Sequence, residues 1–205
     1  MSRRHRWIIG TAVTITVLTM AFASAPIGRA ASDDDESKIQ QGFAIAPVPL
    51  NLKGKNRALV GMGSYLVNAT GDCNGCHAGP SGEYAPGGDP FQGEKPVVNQ
   101  QAYLAGGTEL FGPFFIPRNL TPDKTGRAEG GGTFEEFLGI LRTGIDPDQA
   151  HLQFGKYLQV MPWPTFHNMT DHDLLAIYTY LTAIPCLEGD PGVPPPPGPP
   201  QPRCH

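Results

Sequence analysis

Positive charge is scarce in this 205-residue chain. Charged residues of both signs make up 17% of it, with 15 Lys and Arg against 19 Asp and Glu. Nucleic acid is bound through Lys and Arg that displace its counterions, so nucleic acid is excluded as a partner class. Cysteine is sparse too, at four residues. A structural zinc site of the usual kind needs a second close pair to match Cys73 and Cys76, and there is none. Internal repeats are missing, which leaves one domain as the simple count. Gly (26) and Pro (22), by contrast, together make up nearly a quarter of the chain. Such a chain is rich in loops and has little core of its own. It depends on a staple or a large apolar group to hold it.

Arg3, Arg4 and Arg6 precede an apolar stretch, Trp7 to Ala25, that contains no charge. Gly28-Arg29-Ala30 then places small residues where a signal peptidase reads. Residues 1–30 are therefore expected to be a signal peptide cleaved after Ala30. An uncleaved membrane anchor is the alternative, since the apolar run is almost long enough to span a bilayer. Cleavage removes four of the 15 basic residues and none of the 19 acids, leaving 11 against 19, a balance of −8. A basic or mixed protein surface suits such a charge as a partner. Localisation is expected to be periplasmic or otherwise exported, with attachment to the outer face of the inner membrane if the anchor stays.

Residues 31–54 open on the run Asp33-Asp34-Asp35-Glu36 and read as a disordered acidic leader. Residues 55–185 form the domain. Leu59, Met62, Leu66 and Val67 share one face of a helix over 55–70. Residues 78–132 read as loops. Thr133-Phe134-Glu135-Glu136 is a capping box that starts a helix running to about Arg142. Thr170-Asp171-His172-Asp173 starts another, which ends before Pro185. Residues 186–205 are a Pro-rich tail with polyproline II character. The fold class is all-α, a small helical domain with long Gly/Pro-rich loops.

The chemistry lies at Cys73-Asn74-Gly75-Cys76-His77. A CxxCH run is the attachment signature of heme c: the two thiols lie about one helical turn apart and add to the vinyl groups of one porphyrin, and the histidine binds iron. A thioredoxin-like pair would sit in a βαβ pattern, which the surroundings do not show. One motif implies one heme. A sixth ligand should come from downstream, where Met161, Met169, His151, His167 and His172 are the candidates. Met161 lies in the stiff run Val160-Met161-Pro162-Trp163-Pro164, which suits a residue that must hold its thioether at a fixed point. Trp163 reads either as part of the heme pocket or as a core aromatic.

These motifs, taken with Gly63-Ser64-Tyr65-Leu66-Val67, Asn119-Leu120-Thr121-Pro122-Asp123 and the segment from Met169-Thr170-Asp171 to Tyr180-Leu181, resemble the class I cytochrome c domains. More narrowly they resemble the cytochrome c subunits of membrane-bound alcohol, aldehyde and sugar dehydrogenases, over residues 55–185. The resemblance implies that Met161 is the distal ligand, so that His77 and Met161 hold the metal. It also implies that the first and last helices cross, with Gly61 or Gly63 admitting Tyr180, and that the Asn119 region packs near the heme edge. The chain departs from the pattern in carrying a single heme motif and in its tail.

Two strong axial ligands leave no open position, so the expected role is single-electron transfer without catalysis, to or from a redox protein such as a dehydrogenase, another cytochrome or an oxidase. The alternative is a peroxidase-like heme enzyme with an open or labile sixth position. Cys186 and Cys204 bracket the prolines and are expected to pair as a disulfide in an oxidising compartment.

Overall fold

The computed structural model describes residues 27–112, 114–129, 131–147, 155–189 and 204–205. The signal-peptide reading, the polyproline reading and His151 fall wholly or almost wholly outside them. The described residues hold six α-helices: α1 (Ile27–Ile45), α2 (Arg57–Tyr65), α3 (Cys73–His77), α4 (Phe134–Thr143), α5 (Trp163–Phe166) and α6 (Asp171–Leu181). A π-helical turn, Leu66–Thr70, continues α2. Among the described residues there is no strand beyond two isolated bridges, Tyr84 to Val98 and Leu110 to Phe115. The all-α class holds.

Helix α2 is the centre of the packing. Asn56 caps it by accepting from the Ala58 and Leu59 N–H groups at 3.0 and 3.3 Å, which satisfies two of the orphan donors of the first turn. Its two glycines face different neighbours. A Cβ on Gly61 would come within 2.7 Å of Ile39 and Phe43 in α1, and one on Gly63 within 2.0 Å of the Ala176 carbonyl in α6. Gly63, not Gly61, is therefore the position that admits α6 and Tyr180, whose Cβ would lie 2.7 Å from it.

Residues 31–45 are not the irregular leader that the acidic run suggested, whereas 46–54 are without regular structure. Helix α1 extends over 19 residues. Its acids stay on a solvated stretch supported by pairs one turn apart, Lys38 to Asp34 at 2.5 Å and Gln40 to Glu36 at 2.9 Å, which support a helix locally. Its later turns pack on α2: a Cβ on Gly42 would lie 1.9 Å from the Gly61 carbonyl, and Arg57 lies over the Phe43 ring at 4.1 Å. The chain after α1 also joins the body, with the Asn51 N–H on the Ala183 carbonyl at 2.8 Å. Burial of Ile39 and Phe43 against the glycine face outweighed the polar composition.

Both expected caps form. Thr133 accepts from the Glu136 N–H while Glu136 accepts from the Thr133 N–H at 2.7 Å. Thr170 accepts from the Asp173 N–H at 3.1 Å. A buried polar chain crosses the helical side. The Ser64 hydroxyl donates to the Gly42 carbonyl at 2.7 Å, Tyr103 donates to Asn68 at 2.6 Å, and the Tyr103 and Tyr180 hydroxyls lie 2.8 Å apart. Cys186 and Cys204 form a disulfide, with Cα atoms 5.7 Å apart.

Candidate cofactor cleft

Helix α3 is the CxxCH run itself. Asp72 starts it from a left-handed conformation (φ 46°, ψ 42°), and its carboxylate folds over Gly75, where a Cβ would lie 2.8 Å away. A larger third residue of the motif would displace that exposed carboxylate. The loop at 102–106 frames α3 from the other side. Asn74 accepts from the Leu104 N–H at 2.9 Å, and the Gly106 N–H reaches the His77 carbonyl at 2.8 Å.

Cys73, Cys76 and His77 line one side-chain cleft together with Met161. The cleft encloses about 1220 Å³ of space between its walls, part of it open to solvent. Its walls are mainly apolar, with Val67, Leu110, Ile116, Leu141, Ile177 and Leu181 among them. That composition suits a large flat apolar group rather than a polar metabolite. Polar side chains reach it at few points, of which Arg118 and Asp146 form an ion pair.

The two cysteines are free thiols. Burial pushes the Cys73 thiol up to about 12, and the charge of Asp72 adds to the rise. Burial, followed by Asp72 and Glu83, raises Cys76 too. The attacking cysteine of a thioredoxin-like pair has a depressed pKa, so these thiols are set the opposite way. Burial lowers the pKa of His77, which keeps its imidazole neutral. Its Nδ1 lies 2.7 Å from the Arg118 carbonyl, which can only accept. The proton therefore sits on Nδ1, and Nε2 keeps its lone pair for a metal, as in metal-binding histidines oriented by a carbonyl.

Of the five candidates for a second ligand, Met161 alone lines the cleft among the described residues. Met169 packs against the hydrophobic core. His167 has Nδ1 2.6 Å from the Arg142 carbonyl and is exposed, as is His172. Asn119 is buried, but its side chain donates to the Leu187 carbonyl at 2.8 Å and accepts from Thr121. Its neighbours Arg118 and Leu120, not Asn119 itself, line the cleft. Trp163 is not in the lining either. Its ring stacks on Tyr157 at 6.2 Å and covers Gly144, while Phe166 takes the place in the wall. Sequence reasoning missed Arg118 and Asp146. They lie 28 residues apart, and no spacing rule joins a loop arginine to an aspartate beyond the end of α4.

No protein-family model matches the chain. The alcohol dehydrogenase (quinone) cytochrome c subunit of Gluconacetobacter polyoxogenes is 33% identical over 141 residues, covering 68% of this chain and 24% of that protein. The gluconate 2-dehydrogenase cytochrome c subunit of Pantoea cypripedii is 31% identical over 125 residues, 61% of this chain and 23% of its own length. The chain is a relative of the dehydrogenase cytochrome c subunits. A third such relative, the fructose dehydrogenase cytochrome subunit of Gluconobacter japonicus, is 30% identical over 129 residues, 62% of this chain and 21% of that protein. This cytochrome c-like chain spans about a quarter of the length of these curated relatives.

Proposed function

We propose that this chain is a monoheme c-type cytochrome that passes single electrons between redox proteins outside the cytoplasm. The observation that carries the reading is the convergence of Cys73, Cys76, His77 and Met161 on one apolar cleft. The donor set fits the group: two thiols for covalent attachment, a neutral imidazole with Nε2 free, and a soft thioether from a separate segment. When bound, the heme supplies a one-electron Fe(III)/Fe(II) couple. The residues of the chain do the rest. Cys73 and Cys76 would tether the porphyrin, His77, held in one tautomer by the Arg118 carbonyl, would offer Nε2 to the iron, and Met161 would offer its thioether. Apolar walls exclude water and favour the less charged reduced state.

The partner is a dehydrogenase or another redox protein, in keeping with the names of the relatives. Export follows from residues 1–30, with cleavage after Ala30 and an uncleaved anchor as the other arrangement. Among the described residues no helix is long and apolar enough to cross a membrane. The peroxidase-like alternative finds no support in the relatives, which are named as cytochrome subunits.

The test is expression with the c-type maturation machinery. Heme that stays on the polypeptide after denaturation, and is lost in a Cys73→Ala, Cys76→Ala double variant, is the expected outcome. The ferric protein should show the weak long-red band of an iron–thioether bond, absent in Met161→His. Rapid, stoichiometric carbon monoxide binding by the reduced wild type would sink the carrier reading.

A further inference from the structure

Arg118 and Asp146 stand in the wall of a largely apolar cleft. The Arg118 guanidinium donates to both Asp146 carboxylate oxygens, at 2.6 and 2.7 Å. Their side chains are only 12% and 4% exposed. Removing two charges from water costs as much as their attraction returns, so an apolar pair would fill this space at least as well. What the pair connects supplies a reason for it. The main chain of Arg118 holds the His77 imidazole through its carbonyl, at 2.7 Å. Two residues before Asp146, the Gly144 carbonyl accepts from the Leu158 N–H at 2.7 Å. Leu158 begins the short run of cleft-lining residues that ends with Met161 and Pro162. One ion pair therefore ties the backbone that orients the proximal ligand to the backbone that carries the distal one.

We infer that Arg118 and Asp146 are positioning residues: their ion pair clasps the His77 side of the cleft to the Met161 side, keeps the thioether on the metal and keeps small competing ligands out. The inference rests on the His77/Met161 reading above. It goes beyond that reading in giving two residues outside the proposed ligand set a share in the strength of the iron–thioether bond. The surface pair Arg142–Asp171, at 2.6 Å, provides the contrast, because Asp171 is 77% exposed and neither residue lines the cleft.

The experiment uses the matured full-length chain, with imidazole as the competing ligand for the ferric form. Asp146→Asn and Arg118→Gln are each expected to bind imidazole roughly tenfold more tightly than wild type, because each breaks the charge pair that joins the two segments. Their long-red thioether band should weaken at unchanged heme content. The double variant should fall short of the product of the two single effects, as for residues that act together. Val60→Ala, buried in α2 and outside the cleft lining, should lower the melting temperature and leave imidazole binding unchanged.

Imidazole affinity within about twofold of wild type in both single variants, with the thioether band present in wild type, would overturn the clasp and leave the ligand reading standing. An equal gain in Val60→Ala would also overturn it, by assigning the effect to general loosening. A wild type without the band would remove the ligand reading and the clasp with it. If Asp146→Asn does not fold, Arg118→Lys carries the same test. It keeps the charge but replaces the planar guanidinium, whose Nη2 reaches both Asp146 oxygens, by an ammonium of different reach, so a smaller gain in imidazole affinity is expected, and none would count against the clasp.

Discussion

The helical side and the cleft side of this molecule are held together by different means. On the helical side, α1, α2 and α6 meet backbone to backbone, through Gly42, Gly61 and Gly63. A satisfied chain of hydroxyl and amide groups, from Ser64 through Asn68 to Tyr103 and Tyr180, runs through that side. On the cleft side, loops around 104–120 and 155–162 contribute apolar walls, and the buried Arg118–Asp146 pair joins the first of them to the segment whose Gly144 carbonyl holds Leu158. Close packing gives the first side its own stability. The second side has its apolar surface in place without the contacts to bury it, so its order depends on what occupies the cleft.

The largest effect that would break this contrast is on the helical side. Gly63→Val puts side-chain atoms into the Ala176 carbonyl. A loss of about 3–5 kcal/mol in denaturant unfolding is expected, at the severe end for single substitutions. A loss below about 1 kcal/mol would mean that α6 moves aside freely and that the packing is not the tight one described. Next in size is the Cys73→Ala, Cys76→Ala variant, followed by hydrogen exchange. Amides at 104–120 and 155–162 should exchange roughly tenfold faster or more, while those of α2 and α6 stay protected. Equal loss on both sides would dissolve the distinction.

Tyr180→Phe removes one hydroxyl and leaves the Tyr103 hydroxyl on Asn68 alone, at an expected cost of about 1–2 kcal/mol. It also sharpens the comparison through pH. Burial raises the pKa of both tyrosines, with that of Tyr103 well above its ordinary value. The unfolded chain releases these protons near pH 10 and the folded one only higher. The stability they confer is therefore present in full below about pH 10 and is lost as pH climbs toward the folded values. Alkaline unfolding of wild type should be steeper than that of Tyr180→Phe. Asp171→Asn is the smallest change. Its pair with Arg142 is exposed, and less than about 1 kcal/mol is expected in thermal unfolding, with no change in the visible spectrum.

The two sides also differed in how far they could be read in advance. Helix starts at Thr133 and Thr170 were legible because a cap is local chemistry, written within four residues. The CxxCH run and the stiff segment around Met161 were legible for the same reason, and both line the cleft. The Cys186–Cys204 bond followed from counting. Helix α1 was misread because Asp33 to Glu36 dominate its composition, while the residues that decide its fate, Ile39, Gly42 and Phe43, act only through a partner helix. The resemblance put the Asn119 region near the heme edge, and Trp163 was open between pocket and core. Tertiary hydrogen bonds to Leu187 and stacking on Tyr157 send them elsewhere. The Arg118–Asp146 pair left no trace in any local pattern, because only the folded chain brings those loops together.

The seating of Gly42 on the Gly61 carbonyl has a consequence for modularity. The acidic segment looks like a linker that could be trimmed or exchanged when such a unit is moved between longer chains. With its main chain packed against α2 at Gly42, and with the Ser64 hydroxyl donating to the Gly42 carbonyl, the later half of α1 is packed as part of the same unit as α2. A boundary drawn at Arg57 would cut through the unit rather than beside it.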